Sequence, residues 1–176
     1  MPPAPTSSWL TFALLTVVCW GTYGILLHSG QLGMADPQNG RMKAFLFVGI
    51  AYFLVAVLAP LALLLLSGAS WSYPAKGMLW SLIAGILGAV GALGVLLAFG
   101  AKGNPAVVMT IVFAGAPVVN AIVSLLLHPP AGGWGKVPAP FWIGMVLAVT
   151  GGALVTKFKP GAPPPAKAAA TAPPHG

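Results

Sequence analysis

Acidic residues are almost absent from this 176-residue sequence, in which Asp36 is the only one, against eight Lys and Arg residues. Charged residues of both signs make up only 5% of the chain, whereas 58% of it is hydrophobic and the mean hydropathy is +0.94. A soluble domain of this size could not hide so much apolar surface from water. The composition therefore predicts an all-α integral membrane protein, with the lipid bilayer as its surroundings.

Cysteine and clustered polar residues are also scarce, which excludes several kinds of site. Cys19 is the only cysteine and the three His residues are scattered, so neither an internal disulfide nor a metal or cofactor site is predicted. No nucleophile, base and acid occur together, and the glycines lie within apolar runs, so we expect no catalytic residues and no enzyme activity. The net charge of +7 comes from cations spread singly along the chain, which argues against nucleic acid binding.

Five long apolar runs are present, and each has roughly the 20 residues that a hydrocarbon core of about 30 Å requires. A short leader, residues 1–8, precedes them and has no positive charge, so a cleaved signal peptide is not expected. Residues 158–176 form a Pro/Ala-rich tail that cannot bury a core and is predicted to be disordered. The predicted membrane domain covers residues 9–157, with spans at about residues 9–28, 44–66, 78–99, 106–127 and 141–156.

The Lys and Arg residues predict an orientation in the membrane. Cytoplasmic loops carry the excess of these residues, so the side with six of them is assigned to the cytoplasm. The N-terminus is then outside and the C-terminus cytoplasmic, in the cytoplasmic (inner) membrane. Six aromatic residues would lie near the outer interface, which agrees with this orientation. The cytoplasmic set is Arg41, Lys43, Lys102, Lys157, Lys159 and Lys167, the outer set is Lys76 and Lys136, and the aromatic set is Trp9, Trp71, Tyr73, Trp80, Trp134 and Trp142.

Small residues recur at helical spacing in the third and fifth spans. Such rows allow helix backbones to approach closely in lipid, where no hydrophobic effect drives association. We interpret them as helix-packing faces, with a site-forming or dimer-forming role as the alternative. The rows are Ala84, Gly88 and Ala92 in the third span, and Gly144, Ala148 and Gly152 in the fifth.

Several short motifs occur in a characteristic order along the spans. The first span contains Trp20-Gly21-Thr22-Tyr23-Gly24. Ala98 is followed by a Gly-Asn-Pro turn and Ala106, and Ala114-x-x-Pro117 lies in the middle of the fourth span. With Gly144 and Gly151-Gly152 in the last span, this order resembles the EamA repeat of the drug/metabolite transporter superfamily. The resemblance implies one five-span repeat where usual members have two, and hence a second copy or a partner membrane subunit.

One departure from the family pattern concerns the end of the fourth span. Members commonly carry a Glu there, whereas this chain has His128 followed by two prolines. Proton-coupled transporters usually rely on an Asp, Glu or His within the membrane, and here His28 and His128 are predicted at opposite ends of the bilayer. Proton coupling by this chain alone is therefore not expected.

The fourth span is the predicted working centre. Pro117 lacks an N–H and is expected to kink the helix near Ala114, and Asn120 follows one turn later. Asn120 either contacts a substrate or holds two helices together, and Trp20 either lines the path or packs on small residues. The leading hypothesis is a transporter subunit that moves a small polar metabolite. The alternative is a non-transporting subunit that docks on another membrane protein through its small-residue faces. The proposed substrate path is Trp20, Tyr23, Thr110, Pro117 and Asn120.

Overall fold

A computed structural model of the chain describes residues 8–159, and every regular element in that part is helical. The predicted leader, apart from Ser8, and the predicted tail beyond Lys159 lie outside the described residues. Five long helices occur, and a short 3₁₀ turn, Trp134–Lys136, precedes the last of them. The helices are α1 (Ser8–Gly33), α2 (Gly40–Leu66), α3 (Ala75–Gly100), α4 (Pro105–Leu127) and α5 (Ala139–Lys157).

All five helices are long and apolar enough to cross a membrane. The shortest, α5, has 19 residues, and at 1.5 Å per residue it spans about 28 Å. The described part of the chain is thus that of a multi-pass membrane protein, which confirms the prediction of five apolar helices. At four of the ten predicted limits the helices extend two to five residues further, because backbone hydrogen bonding continues beyond the apolar run, and the other limits agree within one residue. The clearest case is α1, which continues from His28 to Gly33.

The tight turn between α3 and α4 is fixed by its own residues. Lys102 adopts a left-handed conformation with φ +66°, and the N–H of Gly103 donates to the Ala98 carbonyl at 2.9 Å, which closes the end of α3. Asn104 then caps α4, because its Oδ1 accepts from the N–H groups of Ala106 and Val107 at 3.0 and 3.4 Å. Pro105 follows at the first helical position, where its missing N–H costs nothing.

The connection between α1 and α2 is organised by Asp36. Its Oδ1 accepts from the N–H groups of Gln38 and Asn39 at 3.0 and 2.8 Å, and its Oδ2 lies 2.7 Å from the Lys43 ammonium. The connection is thereby tied to the first turn of α2. The Arg41 side chain lies against Gly100 at the end of α3, where the helix dipole favours a positive charge.

Tight packing is concentrated at one end of the bundle. The buried residues come from the last half of α1, the start of α2, the last part of α3 and the start of α4. We name this cluster the basic-end core, because Arg41 and Lys43 at the start of α2 and Lys102 in the turn after α3 lie at this end. Away from it the first half of α3 is exposed throughout, whereas α4 and α5 remain in close contact at Ala114 and Gly152. The basic-end core consists of Leu27, Ala44, Val95, Leu96, Phe99 and Met109.

Two helix contacts rely on a missing side chain. Gly24 of α1 lies against Met109 of α4, and a Cβ at Gly24 would overlap the Met109 side chain. Gly152 of α5 lies against Ala114 of α4, and a Cβ there would overlap that of Ala114. Close approaches of this kind replace the hydrophobic effect as the source of helix association in lipid.

Pro60 and Pro117 both lie inside membrane helices. Helix α4 continues through Pro117 to Leu127, and the kink expected near Ala114 stays a prediction. The irregular segment lies in α2, where Leu54–Leu58 forms a wider π-helical turn just before Pro60. Since Pro60 lacks an N–H for the carbonyl four residues earlier, the wider turn redistributes the hydrogen bonds around it.

Candidate functional site

A cavity of about 730 Å³ lies between α1, α2, α3 and α4, next to the basic-end core. Val95 and Met109 belong to both, so the core closes the cavity at its basic end. Leu96 has no exposed surface and Phe99 is 4% exposed, which makes this closure tightly packed. The volume lies within the range typical of small-molecule sites.

The wall formed by α3 is a smooth face of small residues. Gly88, Gly91 and Gly94 all line the cavity, and a Cβ built at any of them meets no atom of the described chain within 4 Å. Ala92 and Ala98 continue the same face at helical spacing. The empty volume beside α3 is therefore available to a ligand.

The wall formed by α1 and α2 is aromatic. Trp20 and Tyr23 of α1 and Tyr52 of α2 all line the cavity. Trp20 is half exposed, and the Tyr23 hydroxyl is fully enclosed without a hydrogen-bond partner in the described chain. Burying a hydroxyl without a partner costs free energy, and since this oxygen is enclosed it is the ring of Tyr23, and not its hydroxyl, that borders the cavity. No formally charged side chain of residues 8–159 is among the lining residues.

The structure brings together only part of the predicted substrate path. Trp20 and Tyr23 share the cavity, whereas Thr110 lies in a neighbouring groove of about 530 Å³ between α1, α4 and α5. The Thr110 hydroxyl donates to the Ala106 carbonyl at 2.7 Å, within its own helix. Pro117 and Asn120 are exposed, and Asn120 is about 12 Å along α4 from Val112 of the cavity wall.

The residues of the two predicted packing rows do not all pack against a neighbouring helix. Gly88 and Ala92 face the cavity, and Gly152 packs closely on α4. Ala148 lies in the same groove as Thr110. Ala84 is exposed, and a Cβ at Gly144 would meet nothing within 4 Å in the part of the chain that the structure describes. Among the glycines of the two rows, only Gly152 makes a close interhelical approach of the predicted kind within residues 8–159.

Most of the cavity lining was not identified from the sequence, and Tyr52, Cys19 and Gly91 are examples. Tyr52 is the only tyrosine of α2, and this property of the sequence could have identified it as a candidate cavity residue. Cys19 directly precedes Trp20, and Gly91 lies one turn after Gly88 on the same face, but the number of glycines in α3 hides which of them face a cavity. Among residues 8–159, no group of three or more His, Cys, Asp or Glu is arranged to hold a metal ion.

The chain was also compared with known proteins. Models of protein families, curated proteins and solved structures give no match to it. The cavity, the exposed helix faces and the distribution of charge are therefore the observations on which a function is proposed.

Proposed function

We propose that the chain is a transporter subunit of the drug/metabolite transporter type, which moves a small uncharged metabolite across the cytoplasmic membrane. The observation that carries the proposal is the cavity between four membrane helices, closed at one end by the basic-end core and lined by Trp20 and Tyr23. A membrane protein that moves a solute needs such a chamber, together with a closure that can open. Because the lining is largely apolar, it favours a solute with fewer polar groups than the small polar metabolite that the sequence predicts.

The orientation of this chamber follows from the charges. We assign the end with Arg41, Lys43, Lys102, Lys157 and Lys159 to the cytoplasm, by the excess of Lys and Arg there. The stacked pair Trp134 and Trp142, with ring centroids 6.5 Å apart, would then lie at the outer interface. In this orientation the basic-end core is the cytoplasmic closure, and the structure corresponds to a state blocked toward the cytoplasm.

We further propose that the working unit contains a second copy or a partner membrane subunit. Asn120 is exposed on α4, about 10 Å from the end of that helix, where a lone amide facing lipid would lack a hydrogen-bond partner. The separated halves of α1 and α3 also expose apolar faces beyond the basic-end core. A second subunit placed there would cover the amide and complete the chamber.

Transport can be tested with purified protein in proteoliposomes. Uptake of a mixture of uncharged metabolites is followed by mass spectrometry, with protein-free liposomes as the baseline. Gly91→Leu should abolish any protein-dependent uptake, because Gly91 lines the cavity and a side chain that starts from its open Cβ position would occupy that space. Gly85→Leu is the matched control, since Gly85 is equally open but does not line the cavity. Equal rates for wild type and Gly91→Leu would contradict the assignment of this cavity as the path.

A second function, docking on another membrane protein without transport, is favoured by one observation. Gly144 lies on an exposed surface of α5, with no atom of the described chain near its Cβ position. Such small-residue surfaces are suited to close contact with a foreign helix. This alternative expects that Gly144→Leu releases a specific co-purifying partner and that the chain reconstituted alone moves nothing.

A further inference from the structure

We propose that a groove at the basic end binds the phosphate group of an anionic membrane lipid, with Arg41 as the residue that holds it. This groove, named the Arg41 groove, has a volume of about 440 Å³ and lies between the end of α1, the start of α2 and the end of α3. Its lining includes Leu32, Asp36, Arg41 and Gly100. It shares no described lining residue with the cavity assigned to transport, so the inference does not rest on the proposed function.

The Arg41 guanidinium has no acidic partner in the described chain. Asp36 is the only acidic side chain of the sequence, and its Oδ2 lies 2.7 Å from the Lys43 ammonium. Its Oδ1 accepts from the N–H groups of Gln38 and Asn39. No ion pair or hydrogen bond joins the Arg41 side chain to another described residue, although this side chain is half-buried. An anion that pairs with it would therefore come from outside the protein.

Gly100 provides the place where the guanidinium lies. A Cβ at Gly100 would overlap the Arg41 Nη1 and would lie 3.1 Å from its Cδ and 3.3 Å from its Cζ. The Arg41 side chain thus occupies the space that a side chain at position 100 would take. Because packing against α3 already limits its rotamers, less conformational entropy is lost when the guanidinium binds an anion.

The charge of the Arg41 groove matches a phosphodiester. Asp36 also lines the groove, but its carboxylate is compensated by the Lys43 ammonium, so that one net positive charge remains on Arg41. A phosphodiester has one negative charge, and two of its oxygens can accept parallel hydrogen bonds from a guanidinium. The lining therefore favours a single phosphate group over a neutral ligand.

The position of the Arg41 groove favours a lipid over a soluble phosphate ester. The groove lies where three membrane helices end, which is the level of the lipid headgroups, and basic pockets between helices at this level are suited to anionic lipids. Leu32 lines the groove and is 66% exposed, so it offers apolar surface to the start of an acyl chain. A soluble phosphate ester would make only the polar contact.

Native mass spectrometry of the purified full chain in detergent tests this inference. Dioctanoyl phosphatidylglycerol is titrated into the protein, and dioctanoyl phosphatidylcholine serves as the zwitterionic comparison. One phosphatidylglycerol should bind more tightly than phosphatidylcholine, because choline adds a positive charge next to Arg41. Glycerol 3-phosphate at the same concentration should not displace the bound lipid, since it lacks acyl chains.

Variants distinguish the Arg41 groove from general attraction to the basic end. Arg41→Gln should weaken the first phosphatidylglycerol about tenfold, the effect of losing a hydrogen bond to a charged group. Lys102→Gln removes one charge at the same end but outside the groove, and should change the affinity less than about twofold. Gly100→Ala keeps every charge but displaces the guanidinium, so it should weaken binding in the same direction as Arg41→Gln. Gly85→Ala, where the added Cβ meets open space in the described chain, is its control and should bind as wild type does.

A second measurement is thermal unfolding in detergent, followed by tryptophan fluorescence. Phosphatidylglycerol should raise the melting temperature of the wild type and of Lys102→Gln more than that of Arg41→Gln. Equal phosphatidylglycerol affinities of wild type and Arg41→Gln, or an equal loss in Lys102→Gln, would overturn the assignment of Arg41. Displacement of the lipid by an equal concentration of glycerol 3-phosphate would overturn the lipid as the source of the phosphate.

Discussion

Gly24 of α1 and Met109 of α4 interlock at the basic end of the cavity, where a Cβ on Gly24 would lie 2.6 Å from the Met109 Sδ. Met109 is 7% exposed and belongs to the basic-end core, while its side chain also borders the cavity. The contact thus joins the closure of the cavity to the docking of α1 on α4. It depends on the absence of a side chain at position 24.

The first prediction concerns this contact. Gly24→Ala should lower the free energy of unfolding by about 1 kcal/mol, because Met109 must move aside in a packed core. Gly21→Ala, one turn earlier on the same helix, should leave stability unchanged or raise it, since a Cβ there meets nothing within 4 Å in the described chain and alanine favours the helix. Thermal unfolding in detergent, followed by tryptophan fluorescence, measures both. Equal effects of the two substitutions would contradict the interlocked geometry.

A second prediction concerns Gly152 of α5, which lies against Ala114 of α4. A methyl group at position 152 would overlap the Ala114 Cβ, which is attached directly to the backbone and cannot turn away as Met109 can. Gly152→Ala should therefore cost about 1–3 kcal/mol and more than Gly24→Ala. Unfolding in a series of increasing SDS fractions measures the loss.

Its control is the neighbouring residue. Gly151→Ala adds the same methyl group where the structure shows open space, and should be nearly neutral. Ala114→Gly should restore stability to the Gly152→Ala protein, since the two methyl groups compete for one volume. If Ala114→Gly destabilises the Gly152→Ala protein further, helices α4 and α5 do not pack in this way.

The apolar runs predicted the five helices because span length and composition are local properties of the sequence. The interior of the bundle could not be predicted in the same way. Gly88 and Gly152 have the same local pattern, yet one faces a cavity and the other packs on a helix, a difference that depends on how neighbouring helices diverge. Thr110 was predicted to line the same path as Tyr23, but its hydroxyl bonds its own helix and it lies in a neighbouring groove. Pro60 is the sequence signal for the irregular turn in α2, whereas Pro117 lies inside a helix without such a turn.

A third prediction concerns Asp36, which lies in the connection outside the membrane helices. The hydrogen bond from the Lys43 ammonium, and then that from the Asn39 N–H, lower the pKa of Asp36 from 3.8 to about 2. A carboxyl group whose pKa is lowered in the folded state stabilises the fold at pH values above its pKa in the unfolded state. This contribution is lost as the pH falls from 3.8 to about 2. Asp36→Asn should remove this part of the pH dependence.

The measurement is the melting temperature of the protein in detergent at a series of acidic pH values. Wild type should lose stability across that interval more steeply than Asp36→Asn, and the two curves should converge at the acidic limit. Lys43→Met should shift the wild-type transition toward 3.8, because it removes the main cause of the lowered pKa. Parallel curves for wild type and Asp36→Asn would show that the ion pair does not contribute to folding.

The orientation of the chain gives the last prediction. The described cations at the basic end include Arg41, Lys43, Lys102 and Lys159, whereas Lys136 belongs to the opposite end. By the positive-inside rule, a reporter fused after Lys159 should be active only if it works in the cytoplasm, and one fused after Lys136 only if it works outside. Activity of both reporter types after Lys159 would show insertion in two orientations. In that case an antiparallel pair of identical chains, and not a separate partner of opposite orientation, would supply the second half of the proposed transport unit.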